Sequence, residues 1–585
     1  TTSTFYTNFG INYLRFTNLI TRMLQSNSTF IAIAVAIFLA GCAGLGSMEK
    51  ALDTVGLSVE PETLILQGGN VEVTITGNFP AKYFGKKVIL EATPVLVWEG
   101  GEAAFETEGF QGEDAAGNYT VVSYEVGKSF TYNASIPYQD VMEDASHLEL
   151  RIRGKKGESV VDFEPYFLCK GVITTPNLVQ PDDKFMITPD RFQRTISYTH
   201  NDEINYDYNS SVVKSRETKT DEWAAMKALF TLAATADSVS VTGVTIEAYA
   251  SPEGEISLNE DLAADRASSA HRSLQRELRR ARVETAEDFA NLVAKGEDWE
   301  GFKKLMKSSD IADKDLIIRV LEMYTDKNKR EEEIRNIAKT YSEIEERILP
   351  SLRRSMIALD YTVEGYTDEE LIDLCKSAPE TLTVEELLYS ATLFDDLDDK
   401  YAIYSSCASL HSGDLRGHNN SGVCLMEMGR NNQAKEAFNK AHSLDAGNKA
   451  VLNNLGAIAR QEGRMEDAAS LLAKAGSNPE TSYNKGLVAI TNGNYGSAIS
   501  SMSGSNTVNL ALAKLLKGDA KGAKTTLNNS NDDGAIASYV MAICCARLGD
   551  DAGVKSNLDA ALTKDSSLES KANADLEFDG IELGL

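Results

Sequence analysis

From Asn419 onward the chain repeats itself every 34 residues. Gly422 recurs as Gly456, Gly429 as Gly463, Ala434 as Ala468, Phe438 as Leu472 and Ala441 as Ala475. The series goes on in shorter form through Gly486, Gly493, Ala498 and Met502, then Ala511, Gly518, Ala523 and Leu527, then Ala542, Gly549, Val554 and Leu558. A weaker copy stands ahead of them in "VEELLYSATLFDDLDDKYAIYSSCASL". A fixed period of this length restricts the fold more than any composition does. Each period places small residues where two helices cross and a large apolar residue in the second helix. Such a pair can bury its inner face only against a neighbour, so the pairs are expected to stack into a curved solenoid with a concave groove over residues 367–567.

This pattern resembles the tetratricopeptide repeat. The resemblance implies that the groove takes a peptide or a partner protein, and nothing within the repeats has the arrangement of a catalytic site.

The whole chain is too long for one core: 585 residues suggest three to four domains. The net charge of −29 argues against a nucleic-acid binder, which needs a basic surface to displace phosphate counterions. It equally disfavours general attraction to anionic headgroups. The basic run "RSLQRELRRAR" at 272–282 reads as a solvated helix face. Seven scattered cysteines form no C-x-x-C pair, and the six histidines have no ligand spacing, so neither a metal nor another cofactor is implied. Cys375, Cys407, Cys424, Cys544 and Cys545 read as small buried helix residues. An enzyme would need paired carboxylates in a cleft, a Cys/His pair or a G-x-S-x-G turn. None is visible, and a non-enzymatic protein is expected.

Near the N-terminus, "TFIAIAVAIFLAGC" carries an apolar run from Phe30 to Ala40. That run is shorter than the roughly 20 residues a spanning helix needs and has the length of a signal-peptide core. It ends in Leu39-Ala40-Gly41-Cys42, which resembles the bacterial lipobox. The resemblance implies cleavage before Cys42, acylation of its thiol and new amino terminus, and lipid anchoring to the outer membrane. Acyl chains contribute about 0.8 kcal/mol per buried CH₂, so a multiply acylated cysteine holds its protein on a membrane. No Asp follows Cys42 and no acidic cluster marks surface export, so the periplasmic face is expected. Residues 1–41 are read as signal peptide preceded by a start-site artefact, and 42–55 as a lipidated linker.

Residues 56–183 alternate in period 2, as in "VEVTITGNF" and "HLELRIRGKKG", with turn residues between the runs. They are expected to form an antiparallel, sandwich-like β domain that acts as a spacer or docking module. Over 184–366 the pattern becomes α+β. Strands are expected in "TISYTHNDEINYDYNSSVV" and "VSVTGVTIEAYA". Between them lies an amphipathic helix with Trp223, Met226, Leu229 and Phe230 on one side. A charged helical insertion follows over 283–347, then a break at Pro350 and a final strand. Residues 568–585 read as an acidic tail.

After the strand "VTIEAYA" comes a turn at Ser251–Gly254, then a polar helix. Ser257-x-x-Glu260 has capping-box form, placing the helix start at Leu258, with Leu258, Leu262, Ala270 and Leu274 towards the sheet. Asn259 and Arg266 are seven residues apart on one face, roughly 10 Å at about 1.5 Å per residue. A helix N-terminus beside an arginine suits an anion, above all a carboxylate.

Here the chain resembles the OmpA-like peptidoglycan-binding domain through Ala250-Ser251-Pro252-Glu253-Gly254 and Asn259-x-x-Leu262-Ala263-x-x-Arg266-Ala267. In that family an Asp and the Arg fifteen residues later grip the diaminopimelate side chain of the stem peptide. Arg266 and Asn259 are present, the Asp position is Ser251, and Glu253 could reach in as its substitute. Two readings follow. One is a lipoprotein that tethers to peptidoglycan and presents its repeats to an envelope protein partner. The other is a scaffold subunit of an outer-membrane assembly, secretion or uptake complex, in which the OmpA-like domain has kept its fold and lost the glycan.

Overall fold

A computed structural model describes residues 44–584, apart from 144–145, 254 and 337. Cys42 and the apolar run before it lie outside the described residues. The chain forms two compact units, one built from residues up to Thr188 together with Gly413 onward, the other from Pro189–Ser412.

The first unit opens with a helix, not a linker. Leu45, Met48, Leu52 and Val55 recur at helical spacing and are all buried, which folds Leu45–Lys50 and Leu52–Val55 onto the β domain. That domain is two sheets. One orders Ser58–Glu60, Asn70–Phe79, Leu64–Gln67 and Val172–Ile173, with Lys128–Pro137 on the far side of Asn70–Phe79. The other is centred on Val88–Trp98 and Ser146–Lys156, paired over eleven positions. Inward residues of both sheets, among them Val71, Val73, Ile75, Leu96 and Leu148, share one core. The expectation of a purely antiparallel sandwich needs correction: Val172–Ile173 runs parallel to Leu64–Gln67, and Thr120–Val122 parallel to Glu108–Gly112.

After Thr175–Leu178 the chain becomes extended through Thr188, and residues 184–188 belong with this unit and not with the α+β domain. The remainder of the unit is five helix pairs followed by a short helix Leu568–Ala574 and the turn Leu576–Phe578, the first helices of the pairs being Leu415–Glu427, Lys449–Gln461, Pro479–Thr491, Val508–Leu516 and Ala535–Arg547. The repeated glycines mark the crossings. A Cβ on Gly422 would lie 2.7 Å from a ring carbon of Phe438, and one on Gly456 would lie 2.7 Å from Leu472. Gly486 stands in the same relation to Met502. The expected acidic tail is folded: Leu568, Ala572 and Phe578 are buried in the core of the last pairs.

In the second unit four strands order as Thr195–Asn205, Arg354–Glu364, Val239–Ala250 and Ala290–Glu297, the last pairing parallel to its neighbour and the others antiparallel. The strand Ala290–Glu297 lies where a helical insertion was expected. Helices occupy Trp299–Ser308 to Ala338–Arg347 and have their own core around Phe302, Met306 and Ile317. Trp223, Met226 and Phe230 of the helix Asp221–Thr235 are fully buried, and Leu229 packs at their margin.

The helix after the turn runs Ile256–Ala281 from an N-cap at Glu255, without a side-chain cap, so the capping box at Ser257 does not form. The residues it gives to the core shared with the sheet are Ala267, Ala270, Leu274 and Leu278, whereas Leu258, expected to face the sheet, is 63% exposed and Leu262 is only half-buried. Arg272, Arg276 and Arg279 lie on the exposed face, as a solvated stripe should. The helices Asp368–Ser377, Val384–Ser390 and Leu397–Leu410, expected as the start of the repeats, cluster with this second unit.

Candidate functional site

Six asparagines on the first helices of the repeats are buried: Asn419, Asn420, Asn453, Asn454, Asn484 and Asn509. A buried carboxamide costs free energy unless both its donor and its acceptor find partners. Here the partners are backbone groups of the chain's own extended segment 180–188.

Asn509 accepts the N–H of Gln180 at 2.7 Å and donates to its carbonyl at 3.0 Å. Asn484 holds Lys184 in the same way, at 2.8 Å both times. Asn454 holds Met186 at 2.7 and 2.8 Å, and Asn420 holds Thr188 at 2.7 and 2.9 Å. Asn453 and Asn419 add second donors to the carbonyls of Lys184 and Met186. Five of the asparagines also bond to one another, Asn454 to Asn419 at 3.0 Å and Asn484 to Asn453 at 3.0 Å, with Asn419 bonded to Asn420 and Asn453 to Asn454, which makes a continuous ladder from Asn420 to Asn484. In an extended chain the N–H and C=O of one residue point to the same side, and alternate residues repeat that direction. A row of carboxamides can therefore grip every second residue while reading none of the side chains.

Several side chains of the segment are read as well, Lys184 lying 4.8 Å over the Tyr483 ring among them. The Asp183 carboxylate receives Arg460 Nε at 2.6 Å, Arg460 Nη2, and Gln461 Nε2 at 2.9 Å. Phe185 stacks on Phe438 with ring centroids 6.1 Å apart and planes nearly parallel. Asp182 accepts from Tyr483 at 2.6 Å and from Asn509 at 2.6 Å. Burial, reinforced by that carboxylate, pushes the Tyr483 phenol well above its ordinary range. The groove expected to receive a partner thus holds a polypeptide already, and that polypeptide is its own. The signal was present in the sequence as Asn419-Asn420 and Asn453-Asn454 at the 34-residue offset.

The second candidate is the turn after Val239–Ala250. Ser251, Glu253, Asn259 and Arg266 are all buried there. Arg266 Nε donates to the Ser210 carbonyl at 3.0 Å, Nη1 to Tyr249 O at 2.8 Å and Nη2 to Asp207 O at 3.2 Å. Its guanidinium lies 5.1 Å from the centroid of the Tyr206 ring. Burial pulls its pKa down to about 10, against the opposing influence of Tyr206. Ser251 Oγ donates to Glu253 Oε1 at 2.6 Å, and Arg353 Nη2 donates to the same oxygen at 2.6 Å.

Arg353 was not anticipated. It follows the Pro350 turn at the head of Arg354–Glu364, whose pairing of Ser355 with Ala248 sets it beside the end of the neighbouring strand. Asn259 points elsewhere, donating to Glu297 at 3.1 Å, and Glu297 also accepts from Trp299. The structure therefore brings Ser251 and Glu253 together, closes them with Arg353, and commits Arg266 to main-chain oxygens.

Comparison with known proteins bears on the repeats. The tetratricopeptide-repeat model matches residues 415–448, the span of the first helix pair. The chain carries this repeat. A curated relative, the probable UDP-N-acetylglucosamine–peptide N-acetylglucosaminyltransferase SPINDLY of Arabidopsis thaliana, is 29% identical over 96 residues, which is 16% of this chain and 10% of that protein. The chain thus spans a small fraction of the length of that relative.

Among solved structures, it is similar to the Cut9–Hcn1 hetero-tetramer of the APC/C, at 16% identity and a TM-score of 0.31 over 36% of this chain and 45% of that one. It is also similar to Pseudomonas aeruginosa PilF, at 15% identity and a TM-score of 0.29 over 35% of this chain and 97% of that one. A tetratricopeptide repeat protein from Parabacteroides merdae is 14% identical with a TM-score of 0.28, over 36% of this chain and 90% of that one. Among the described residues no helix is long and apolar enough to cross a membrane.

Proposed function

We propose that this protein is a non-enzymatic interaction scaffold of the bacterial cell envelope, lipid-anchored through Cys42 at the periplasmic face of the outer membrane. In this reading its repeats hold extended polypeptide, and its OmpA-like domain is a structural module that no longer receives the stem peptide of peptidoglycan. The observation that carries the scaffold reading is the asparagine ladder, which grips backbone at Gln180, Lys184, Met186 and Thr188. The alternative, a peptidoglycan tether, needs Arg266 to offer N–H groups to a diaminopimelate carboxylate. Three of the Arg266 N–H groups, one on each nitrogen, are bonded to main-chain carbonyls, and Glu253, the expected substitute for the missing Asp, is paired with Arg353.

Calorimetric titration of the full chain with a diaminopimelate-containing muropeptide tests this choice. No saturable binding is expected. Saturable binding that free diaminopimelate competes away would replace this reading with the tether. The anchor is tested separately by labelling with radioactive palmitate, which Cys42→Ser should abolish while moving the protein out of the membrane fraction.

A further inference from the structure

The segment 180–188 has the properties of a ligand more than those of a core element. Its backbone is held by carboxamide side chains, not by a helix or a sheet ladder, so the grip does not depend on its sequence. Ile187 is 48% exposed and Pro181 also faces out, so those two positions make no demand on the groove. Besides Asp182, held by Tyr483 and Asn509, the groove reads a carboxylate at Asp183, in the recess of Arg460 and Gln461, and an aromatic ring two residues later on Phe438.

We propose that 180–188 is an internal pseudo-ligand, and that the partner of this groove is a separate extended polypeptide that carries an acidic residue two positions ahead of an aromatic one and binds by displacing it. Tethering at both ends gives the internal segment an effective concentration that a free competitor must overcome. The groove is therefore closed to weak or unmatched peptides and opens only to one that fills both the carboxylate recess and the aromatic platform. This inference rests on reading the repeats as a polypeptide-binding scaffold.

The experiment uses the full chain and a fluorescent peptide of sequence VQPDDKFMIT, residues 179–188, followed by anisotropy. Against a chain weakened by Asp183→Ala and Phe185→Ala the peptide should bind saturably, and at least tenfold more tightly than to the unmodified chain. A peptide with Asn for the second Asp and Ala for Phe should lose that binding, as should a weakened chain that also carries Arg460→Ala. Equal binding to weakened and unmodified chains would place the peptide outside the groove and overturn the proposal.

Amide exchange on the unmodified chain supplies a measurement that does not depend on any variant folding. The amides of Lys184, Met186 and Thr188 should exchange at least a hundredfold faster than the core amides of Lys449–Gln461, and faster still with excess peptide. Exchange of those three amides only at the rate of the core would mean that the segment is a permanent stitch. If the weakened chain still bound peptide in that case, the scaffold reading would survive and displacement would not. If the peptide also failed to bind a folded weakened chain, both would fall.

Discussion

Asp183 and Arg460, 277 positions apart in sequence, form an ion pair in which the carboxylate has no exposed surface and the guanidinium almost none. The pair fixes the register of the extended segment, because a shift of one residue would turn Asp183 out of the groove. Removing one member of a buried pair leaves the other charged and unpaired, which costs about 3–5 kcal/mol. Asp183→Ala should therefore lower the unfolding free energy of the unit that contains the repeats by that amount, seen as a lower urea midpoint. Asp183→Asn, which keeps the size and an acceptor, should cost less. Denaturation followed by helical circular dichroism reads both.

Asn454 satisfies two backbone groups of Met186, donates to Asn419 and accepts from Asn453. Asn454→Ala strands the Met186 N–H, and the expected loss is about 1–3 kcal/mol for an unsatisfied buried group. Asn454→Asp keeps the acceptor but sets an anion against the Met186 carbonyl, so it should be no better than alanine. Hydrogen exchange at the Met186 amide should accelerate in both variants while exchange in the helix Asp221–Thr235 stays unchanged.

The contrast between glycines and asparagines shows what the sequence could convey. Gly422 and Phe438, or Gly456 and Leu472, are short-range partners whose contact recurs with the period, so the period alone announces the crossing. Asn419-Asn420 recurs with the same period as Asn453-Asn454, yet a polar residue on a helix ordinarily faces water. Their role depends on Thr188, 232 positions from Asn420, and no local pattern carries that relation.

The same limit hid Arg353, whose meaning comes from a strand pairing across the sheet. The strand Ala290–Glu297 shows no apolar alternation, since its exposed residues outnumber its buried ones and the buried pair is Gly296 and Glu297. The helix Leu45–Lys50 is only six residues long, too short for its apolar spacing to stand out ahead of the β domain.

Glu253 and Arg353 should behave as a coupled pair. Each is buried, and Arg353 Nη2 lies 2.6 Å from the carboxylate. Glu253→Ala and Arg353→Ala should each cost about 3–5 kcal/mol, since each leaves an uncompensated charge, whereas the double substitution should cost much less than their sum. A thermodynamic cycle by urea denaturation that found additive effects would mean that the two charges are separately solvated.

Asp575 carries a pH dependence of stability. It caps the turn Leu576–Phe578, accepts from Tyr539 at 2.9 Å and takes the Glu577 N–H at 3.0 Å. Burial raises its pKa above the ordinary carboxylate value, and the bonds from Glu577 and Tyr539 offset only part of that rise. A carboxyl with a folded pKa above its unfolded one binds its proton more tightly when folded. Its stabilising contribution is therefore complete below the ordinary Asp pKa and is lost as pH climbs through the raised value. Asp575→Asn keeps an acceptor for Tyr539 and cannot ionise, so it should remove this limb of the profile. The variant is expected to melt higher than the unmodified chain at neutral pH and to converge with it in acid. A difference that instead widened in acid would mean that the carboxylate is stabilised where it sits and that the Tyr539 bond outweighs burial.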